Sequence, residues 1–340
     1  MSVLLGLLAA ATYGSSDFLA GLASRRLPPI VVTAAAQAIC LVIGLTAVLF
    51  YSGDGLSGAI LLWGAAGGIG SVGGTFALYR GLAGGAMSVV ATLSGLLTAV
   101  IPVVVGLATG DSLTAPAAVG IAAAIPAIGL VSWQTSGGGG ANGSGAIWGI
   151  LAGLGFGLLL VGYDRAGAAA GAWPMAVAEA VATLLAAGPA VLALRARRVQ
   201  GRAAAAGHAD AGNHAEDAGH VGAGDHVTTA GHADAGDHVA AVGCADPEDH
   251  VAPAGHAAAV DRHSVGLLLA AGLLAGAANL SFIIANHHGE LAVVAVLTAL
   301  YPGFTVILAR VILGERWSSA QKLGLATALV ATILVSLGSA

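Results

Sequence analysis

A series of long apolar runs constrains this chain more than any other feature of its sequence. A membrane-spanning helix needs about 20 mostly apolar residues, whereas the strands of a membrane barrel are about half as long and alternate in polarity. Only 9% of the residues are charged, against roughly 25% in soluble domains. The sequence therefore predicts an all-α membrane protein with ten transmembrane helices, at roughly 3–22, 30–50, 59–79, 86–108, 114–133, 146–163, 173–194, 265–285, 291–313 and 319–338.

The distribution of Lys and Arg predicts how these helices cross the membrane. If the N-terminus lies outside the cytoplasm, the cytoplasmic loops and their flanks contain eleven of the twelve basic residues, and only Arg165 lies on the opposite side. Cytoplasmic loops carry such an excess of positive charge. We therefore predict a multi-pass protein of the inner (plasma) membrane, with both termini extracytoplasmic and the loop between spans 7 and 8 cytoplasmic.

An internal repeat divides the chain into two halves. Residues 88–131 align with residues 292–335 at a constant shift, and Gly-acid pairs ending in Asp111 and Glu315 fall at matching positions. Each half then holds five spans, and an odd number of spans makes the halves cross the membrane in opposite senses. Inverted repeats recur in secondary transporters, with the substrate site between the halves. We predict two five-helix repeats, 1–133 and 146–338, joined by a Gly-rich linker at 134–145.

The last spans contain a recognisable motif. The run 290–338 combines a proline within span 9 (Pro302), a Leu-Gly-Glu at the end of that span (Glu315), and then Gln321 and Gly324 in span 10. This pattern resembles the second repeat of EamA-type transporters in the drug/metabolite transporter superfamily.

The first half resembles the first repeat of the same family more weakly. Asp111 stands where Glu is usual, and Pro102 is displaced from the position that matches Pro302. The resemblance covers nearly the whole chain apart from 195–263. It implies ten helices, alternating access, and export or uptake of small organic molecules.

Two acidic residues lie inside predicted spans, where a charge is costly and indicates function. Asp17 lies in span 1 and Glu179 in span 7. Because burial disfavours the charged form of a carboxyl group, either residue could take up a proton or bind a cationic group. The structural alternative is a position near a membrane face or a hydrogen bond to a neighbouring hydroxyl. Further polar or aromatic residues predicted to line the pathway are Tyr13, Gln37, Asn279 and Tyr301.

Other residues have structural predictions. Asp111 and Glu315 lie at helix ends, where we expect loop hydrogen bonds or pairing with Arg316 and Lys322 rather than a functional role. Arg310 is expected to extend to the membrane interface. Small residues let helices approach closely, and the glycines that predict close packing of span 3 are Gly67, Gly68, Gly70, Gly73 and Gly74.

A His/Asp/Gly/Ala-rich tract at 195–263 interrupts the second repeat. A six-residue period does not return to one helix face, and Gly, Asp and Pro247 disfavour regular structure, so we predict a disordered loop. Imidazole and carboxylate groups suit divalent metals. The alternative to metal binding is that the tract is an expanded tandem repeat in a loop that tolerates insertion. The histidines predicted to bind metal weakly are His208, His214, His220, His226, His232, His238, His250 and His256.

The main functional prediction is a secondary transporter that moves small organic metabolites or drugs by alternating access, with Asp17 or Glu179 coupling a proton. The alternative is a divalent-metal carrier for Zn, Ni or Co with a His-rich metal-binding loop, although no span pairs His with His or Asp at i,i+4 spacing. A third class, a membrane scaffold or lipid-modifying enzyme, has no support from an HExxH or GxSxG motif.

The predicted partners follow from the same features. A small-molecule substrate and the lipid bilayer are expected partners, and nucleic acid is not. The formation of a homodimer is left open. No phosphate-binding GxxxxGK[ST] loop occurs in the sequence, so we predict neither ATP drive, nor a cofactor, nor an enzyme activity.

Overall fold

The fold consists of helices throughout the part of the chain that the computed structural model describes. The described residues are 2–84, 87–109, 114–132, 144–218, 262–287, 301–314 and 317–338. The predicted all-α class is confirmed within these ranges. The helices are α1 (Ser2–Ser24), α2 (Pro29–Phe50), α3 (Gly58–Ala83), α4 (Met87–Ala108), α5 (Ala115–Ser132), α6 (Ser144–Ala166), α7 (Trp173–Ala218), α8 (Arg262–His287), α9 (Tyr301–Leu313) and α10 (Ser319–Gly338).

Five helices among the described residues are long and apolar enough to cross a membrane. These are α2, α3, α4, α6 and α7, and shorter apolar segments lie within α5, α8, α9 and α10. The first ten residues of predicted span 9, 291–300, lie outside the described residues. These helices support a multi-pass membrane protein, while the count of ten crossings stays a prediction.

The loops contain recognisable helix signals. Pro29 occupies the first turn of α2, where the missing N–H of proline is not needed. The Oγ of Ser57 caps α3 by accepting a hydrogen bond from the Ile60 N–H at 3.3 Å. A 3₁₀ turn, Ala168–Ala170, joins α6 to α7, and it ends at Gly171, whose φ of 58° favours glycine.

The loop between α2 and α3 pairs with the loop between α6 and α7 through two backbone hydrogen bonds. The Asp54 N–H donates to the Ala169 carbonyl at 3.0 Å, and the Ala172 N–H donates to the Tyr51 carbonyl at 2.8 Å. A Cβ on Gly53 would overlap the backbone of the 3₁₀ turn. These hydrogen bonds therefore hold the two loops against each other.

Helix α7 is longer than the sequence predicts. The expected helix ends near residue 194 and disorder is expected over 195–263, whereas α7 continues to Ala218. The expectation is wrong for 195–218, because this segment is rich in Ala and Arg, which have high helix propensity. Residues 219–261 lie outside the described residues.

Two compact units divide the chain. Residues 194–259, including the last part of α7, form one unit, and residues 1–193 and 260–340 form the other. In the larger unit, α6 packs on α3 and α4, α1 packs on α8 and α9, α5 packs on α10, and α4 packs on α9. Its largest buried core includes Phe18, Leu78, Leu82, Met87 and Val90, from α1, α3 and α4.

Glycines bring α3 and α6 into backbone contact. A Cβ on Gly70 would lie 2.5 Å from the Gly155 carbonyl oxygen, and one on Gly155 would lie 2.5 Å from the Gly74 nitrogen. Gly68 of the same helix faces α7, where a Cβ would lie 2.6 Å from the Ala178 carbonyl oxygen. The predicted close packing of α3 is confirmed at these positions, but Gly73 faces open space.

Candidate functional site

Helices α1 and α9 cross at a pair of tyrosines that the sequence places among the pathway residues. The rings of Tyr13 and Tyr301 have centroids 6.1 Å apart and are tilted by 57°. At the same crossing, the Thr305 hydroxyl donates a hydrogen bond to the Gly14 carbonyl at 3.0 Å. A Cβ on Gly14 would lie 2.5 Å from the Tyr301 carbonyl oxygen. Glycine is therefore required at residue 14 for the two tyrosines to meet.

Glu179 lies buried on α7 with an unsatisfied oxygen. Its side chain is 5% exposed, and within the described part of the chain its Oε2 has no hydrogen-bond partner. One turn further along α7, the buried Oγ1 of Thr183 also has no partner among the described residues. Buried polar atoms are rarely left unpaired in native proteins, and such exceptions often mark an absent water, ion or ligand.

The surroundings of Glu179 include tyrosines from three other helices. Glu179 is close enough to interact electrostatically with Tyr13 of α1, Tyr79 of α3 and Tyr163 of α6. Tyr79 is buried, with 4% of its surface exposed, while Tyr13 and Tyr163 are half-buried. The carboxyl group thus lies within electrostatic range of tyrosines from three other helices.

Asp17 belongs to the same group of side chains. It lies one turn after Tyr13 on α1, so the two residues share a helix face. Its half-buried carboxyl group interacts electrostatically with Tyr13, Tyr79 and Tyr301. We call the set formed by the two acids and the four tyrosines the acidic tyrosine cluster: Tyr13, Asp17, Tyr79, Tyr163, Glu179 and Tyr301.

The predicted pathway residue Gln37 makes a structural contact. Its Nε2 donates to the Ser71 Oγ at 2.7 Å, and both side chains are buried. This bond joins α2 to α3. Cys40, one turn further along α2, is buried and lies within electrostatic range of Tyr13. A pathway role for Gln37 stays a prediction.

Two members of the cluster were missed by sequence reasoning. Tyr79 and Tyr163 are the last residues of predicted spans 3 and 6, a position where tyrosine is typical of the membrane interface. Only the helix packing brings each of them within electrostatic range of Glu179. Their signal in the sequence is weak, because a tyrosine at the end of a predicted span is expected at the membrane interface whether or not it also faces other helices.

Several predicted sites fall on residues that the structure does not describe. The helix-end acids Asp111 and Glu315 and the histidines from His220 to His256 lie outside the described residues, and the side chains of Asn279 on α8 and of His208 and His214 on α7 are not described. Within the described ranges, no group of three or more His, Cys, Asp or Glu side chains could hold a metal ion. Metal binding by the histidine series stays a prediction.

The charge balance of the cluster is acidic. Each Arg or Lys side chain that the structure describes is exposed or half-exposed, and none is buried with the cluster. Two of these side chains lie against tryptophans at helix ends: Arg80 over Trp148 at 5.9 Å and Arg310 over Trp317 at 5.6 Å. Arg310 is exposed, and its interfacial role stays a prediction.

A separate apolar cavity lies between α4, α9 and α10. It has a volume of about 310 Å³ and is lined mainly by apolar side chains, with Trp317 and Lys322 among its lining residues. The Trp317 indole N–H donates to the Ser88 hydroxyl at 3.0 Å. None of the six cluster residues lines this cavity.

The apolar helices, five of them long and apolar enough to cross a membrane among the described residues, indicate the class of multi-pass α-helical membrane proteins. Residues 254–337, which include α8, α9 and all but the last residue of α10, match the EamA-like transporter family. The C-terminal part of the chain thus carries an EamA-like transporter domain, as the resemblance of its last spans predicts. This family indicates a transporter rather than an enzyme. Comparison with curated proteins gave no match.

Proposed function

We propose that the protein is a secondary transporter that moves small organic molecules across the membrane by alternating access between two inverted five-helix halves. The observation that carries this proposal is the acidic tyrosine cluster, since its side chains come from α1, α3, α6, α7 and α9, and so from both predicted repeats. A polar site shared by two repeats is where inverted-repeat transporters bind substrate.

The helix contacts support two related halves. The repeat pairs α1 with α6, α3 with α8, α4 with α9 and α5 with α10. Under that exchange, the contact of α3 with α6 becomes the contact of α8 with α1, and α4 with α6 becomes α9 with α1; all four contacts occur. The contacts of α4 with α9 and of α5 with α10 map onto themselves. A two-fold relation between halves would produce these six contacts.

Two contacts near helix ends are compatible with a single crossing by each helix. Ala172 and Tyr51 are hydrogen-bonded, and the helices between them are α3, α4, α5 and α6. Trp317 and Ser88 are hydrogen-bonded, and α4 to α9 lie between them. In each case the number of intervening helices is even, so single crossings return the chain to the same face. Both contacts are therefore compatible with ten spans.

Proton coupling is the proposed energy source. Asp17 and Glu179 are carboxyl groups in apolar helices, where the charged form is costly. A substrate or a proton that reaches the cluster relieves that cost. The halves then rock around the cluster and expose it to one side at a time. The unpartnered Oε2 of Glu179 makes this residue the first choice for the exchange.

Transport by acid variants tests the proposal. Cells that overproduce the full chain are screened for transport of, or resistance to, amino acids and drugs, and Asp17→Asn and Glu179→Gln are then compared with the unmodified protein. We expect each variant to lower proton-driven transport at least tenfold. Asp164→Asn removes an acid whose side chain is 79% exposed, and it should leave transport unchanged. Full transport by both cluster variants would contradict proton coupling, and the absence of any transported compound would contradict the carrier.

A further inference from the structure

The charge of the cluster restricts what it can bind. Two carboxyl groups lie among the helices, and the structure describes no buried Arg or Lys side chain that could neutralise them. A ligand with its own carboxylate would add a like charge to a site of low polarity, which is unfavourable. A ligand with a positive charge would supply the missing partner.

The unsatisfied atoms indicate a ligand that donates hydrogen bonds. The Oε2 of Glu179 accepts only, while ionised, and the Oγ1 of Thr183 can accept as well. Both atoms are buried on α7 without a partner among the described residues. An ammonium group carries several N–H donors and can satisfy both atoms, whereas a quaternary cation or a hydrocarbon cannot.

The tyrosine rings favour an organic cation over a metal ion. A cation is attracted to the face of an aromatic ring within about 6 Å of its centre. The Tyr13 and Tyr301 rings, with centroids 6.1 Å apart, offer aromatic surface for an organic tail. Hard metal ions need several oxygen or nitrogen ligands, and the described side chains form no such group.

We propose that the acidic tyrosine cluster binds an organic ammonium ion with an aromatic or alkyl tail, and that it discriminates against compounds that carry a carboxylate. The ammonium group lies against Glu179 and Thr183, and the tail packs on Tyr13 and Tyr301. This inference rests on the proposed transport function and names the substrate class of the same site.

A matched set of three probes tests the charge requirement. 2-Phenylethylammonium carries the positive charge alone, phenylalanine adds a carboxylate to the same skeleton, and 2-phenylethanol replaces the ammonium by a hydroxyl. Binding of the labelled amine to the purified full chain in lipid nanodiscs is measured, with the other two compounds as competitors. We expect the amine to bind at least tenfold more tightly than either competitor. Equal or tighter binding of phenylalanine would overturn the proposal.

Two variants of the full chain test the assigned contacts. Glu179→Gln should weaken binding of the labelled amine at least tenfold, and Tyr13→Leu should weaken it as well because the aromatic ring is lost. Asp164→Asn, outside the cluster, serves as the control for loss of an acidic group. Unchanged affinity in a correctly folded Glu179→Gln protein would overturn the assignment. If that variant does not fold, the order of the three probes with unmodified protein decides the question.

Flux measurements in proteoliposomes separate this inference from the transport function. Flux of a neutral or zwitterionic compound without binding of the amine would overturn the ammonium proposal and leave the carrier intact. Amine binding that depends on Glu179, with no flux of any compound, would support the ammonium site and contradict the carrier.

Discussion

Gly14 illustrates how one residue determines the geometry of the site. It follows Tyr13 in α1, and its carbonyl oxygen accepts a hydrogen bond from the Thr305 hydroxyl of α9. The sequence singles out Tyr13 but gives no reason to select Gly14, since α1 contains other small residues. The requirement for glycine arises only from the close approach of a second helix, which lies far along the chain.

We predict that Gly14→Ala lowers stability by about 1–3 kcal/mol, because the added methyl group overlaps α9. A Cβ at this position would lie 2.5 Å from both Phe304 Cβ and the Tyr301 carbonyl oxygen. Gly73→Ala is the matched control, since the same methyl group enters open space and replaces a poor helix former. Thermal unfolding in detergent measures both. Equal stability of the two variants would contradict the described α1–α9 crossing.

The hydrogen bond between Gln37 and Ser71 gives a second prediction at the residue scale. We expect Gln37→Leu and Ser71→Ala to show a coupling of about 1 kcal/mol in a double-mutant cycle, because each single change leaves a buried polar group unpaired. Unfolding of the four proteins measures the coupling. Additive effects would show that the two side chains act independently, and would favour the pathway role that the sequence assigns to Gln37.

Among the elements, the helices were the most predictable part of the fold. Long apolar runs fix the existence of α1 to α6 because only a helix satisfies its own backbone in lipid. The end of α7 was not predictable from hydropathy, since the residues that continue it are polar or small and form helices well. The site was predictable in its acids, which are rare in apolar helices. The positions of its tyrosines relative to the acids depend on how the helices cross, and no local sequence pattern encodes these crossings.

The division of the chain into two units leads to a prediction about the His-rich tract. We expect a protein that lacks residues 203–261 to transport as well as the unmodified protein. The reason is that every member of the acidic tyrosine cluster belongs to the larger unit. The transport assay measures this, and cellular tolerance to Zn, Ni and Co is measured in parallel. Replacing the eight histidines by Gln keeps the tract length and serves as the control. Loss of metal tolerance in both variants would favour the metal carrier.

At the scale of the whole molecule, the arrangement of spans is the prediction that most needs a direct test. With ten single crossings and the N-terminus outside, a reporter placed in the linker at 134–145 lies in the cytoplasm and one after residue 338 lies outside. We expect fluorescence of green fluorescent protein at the linker and alkaline phosphatase activity at the C-terminal end. Reporters that place the linker and the N-terminus on the same face would show an even number of crossings in the first half and contradict the inverted repeat.

The paired loops after α2 and α6 have a consequence for movement. Tyr51 and Asp54 belong to the first predicted repeat, and Ala169 and Ala172 to the second, so two backbone hydrogen bonds tie the repeats together at one face. The Trp317–Ser88 hydrogen bond joins the same predicted repeats near the opposite predicted face. A motion that separates the repeats at either face must therefore break the hydrogen bonds at that face, and the face that opens is the one whose bonds break first.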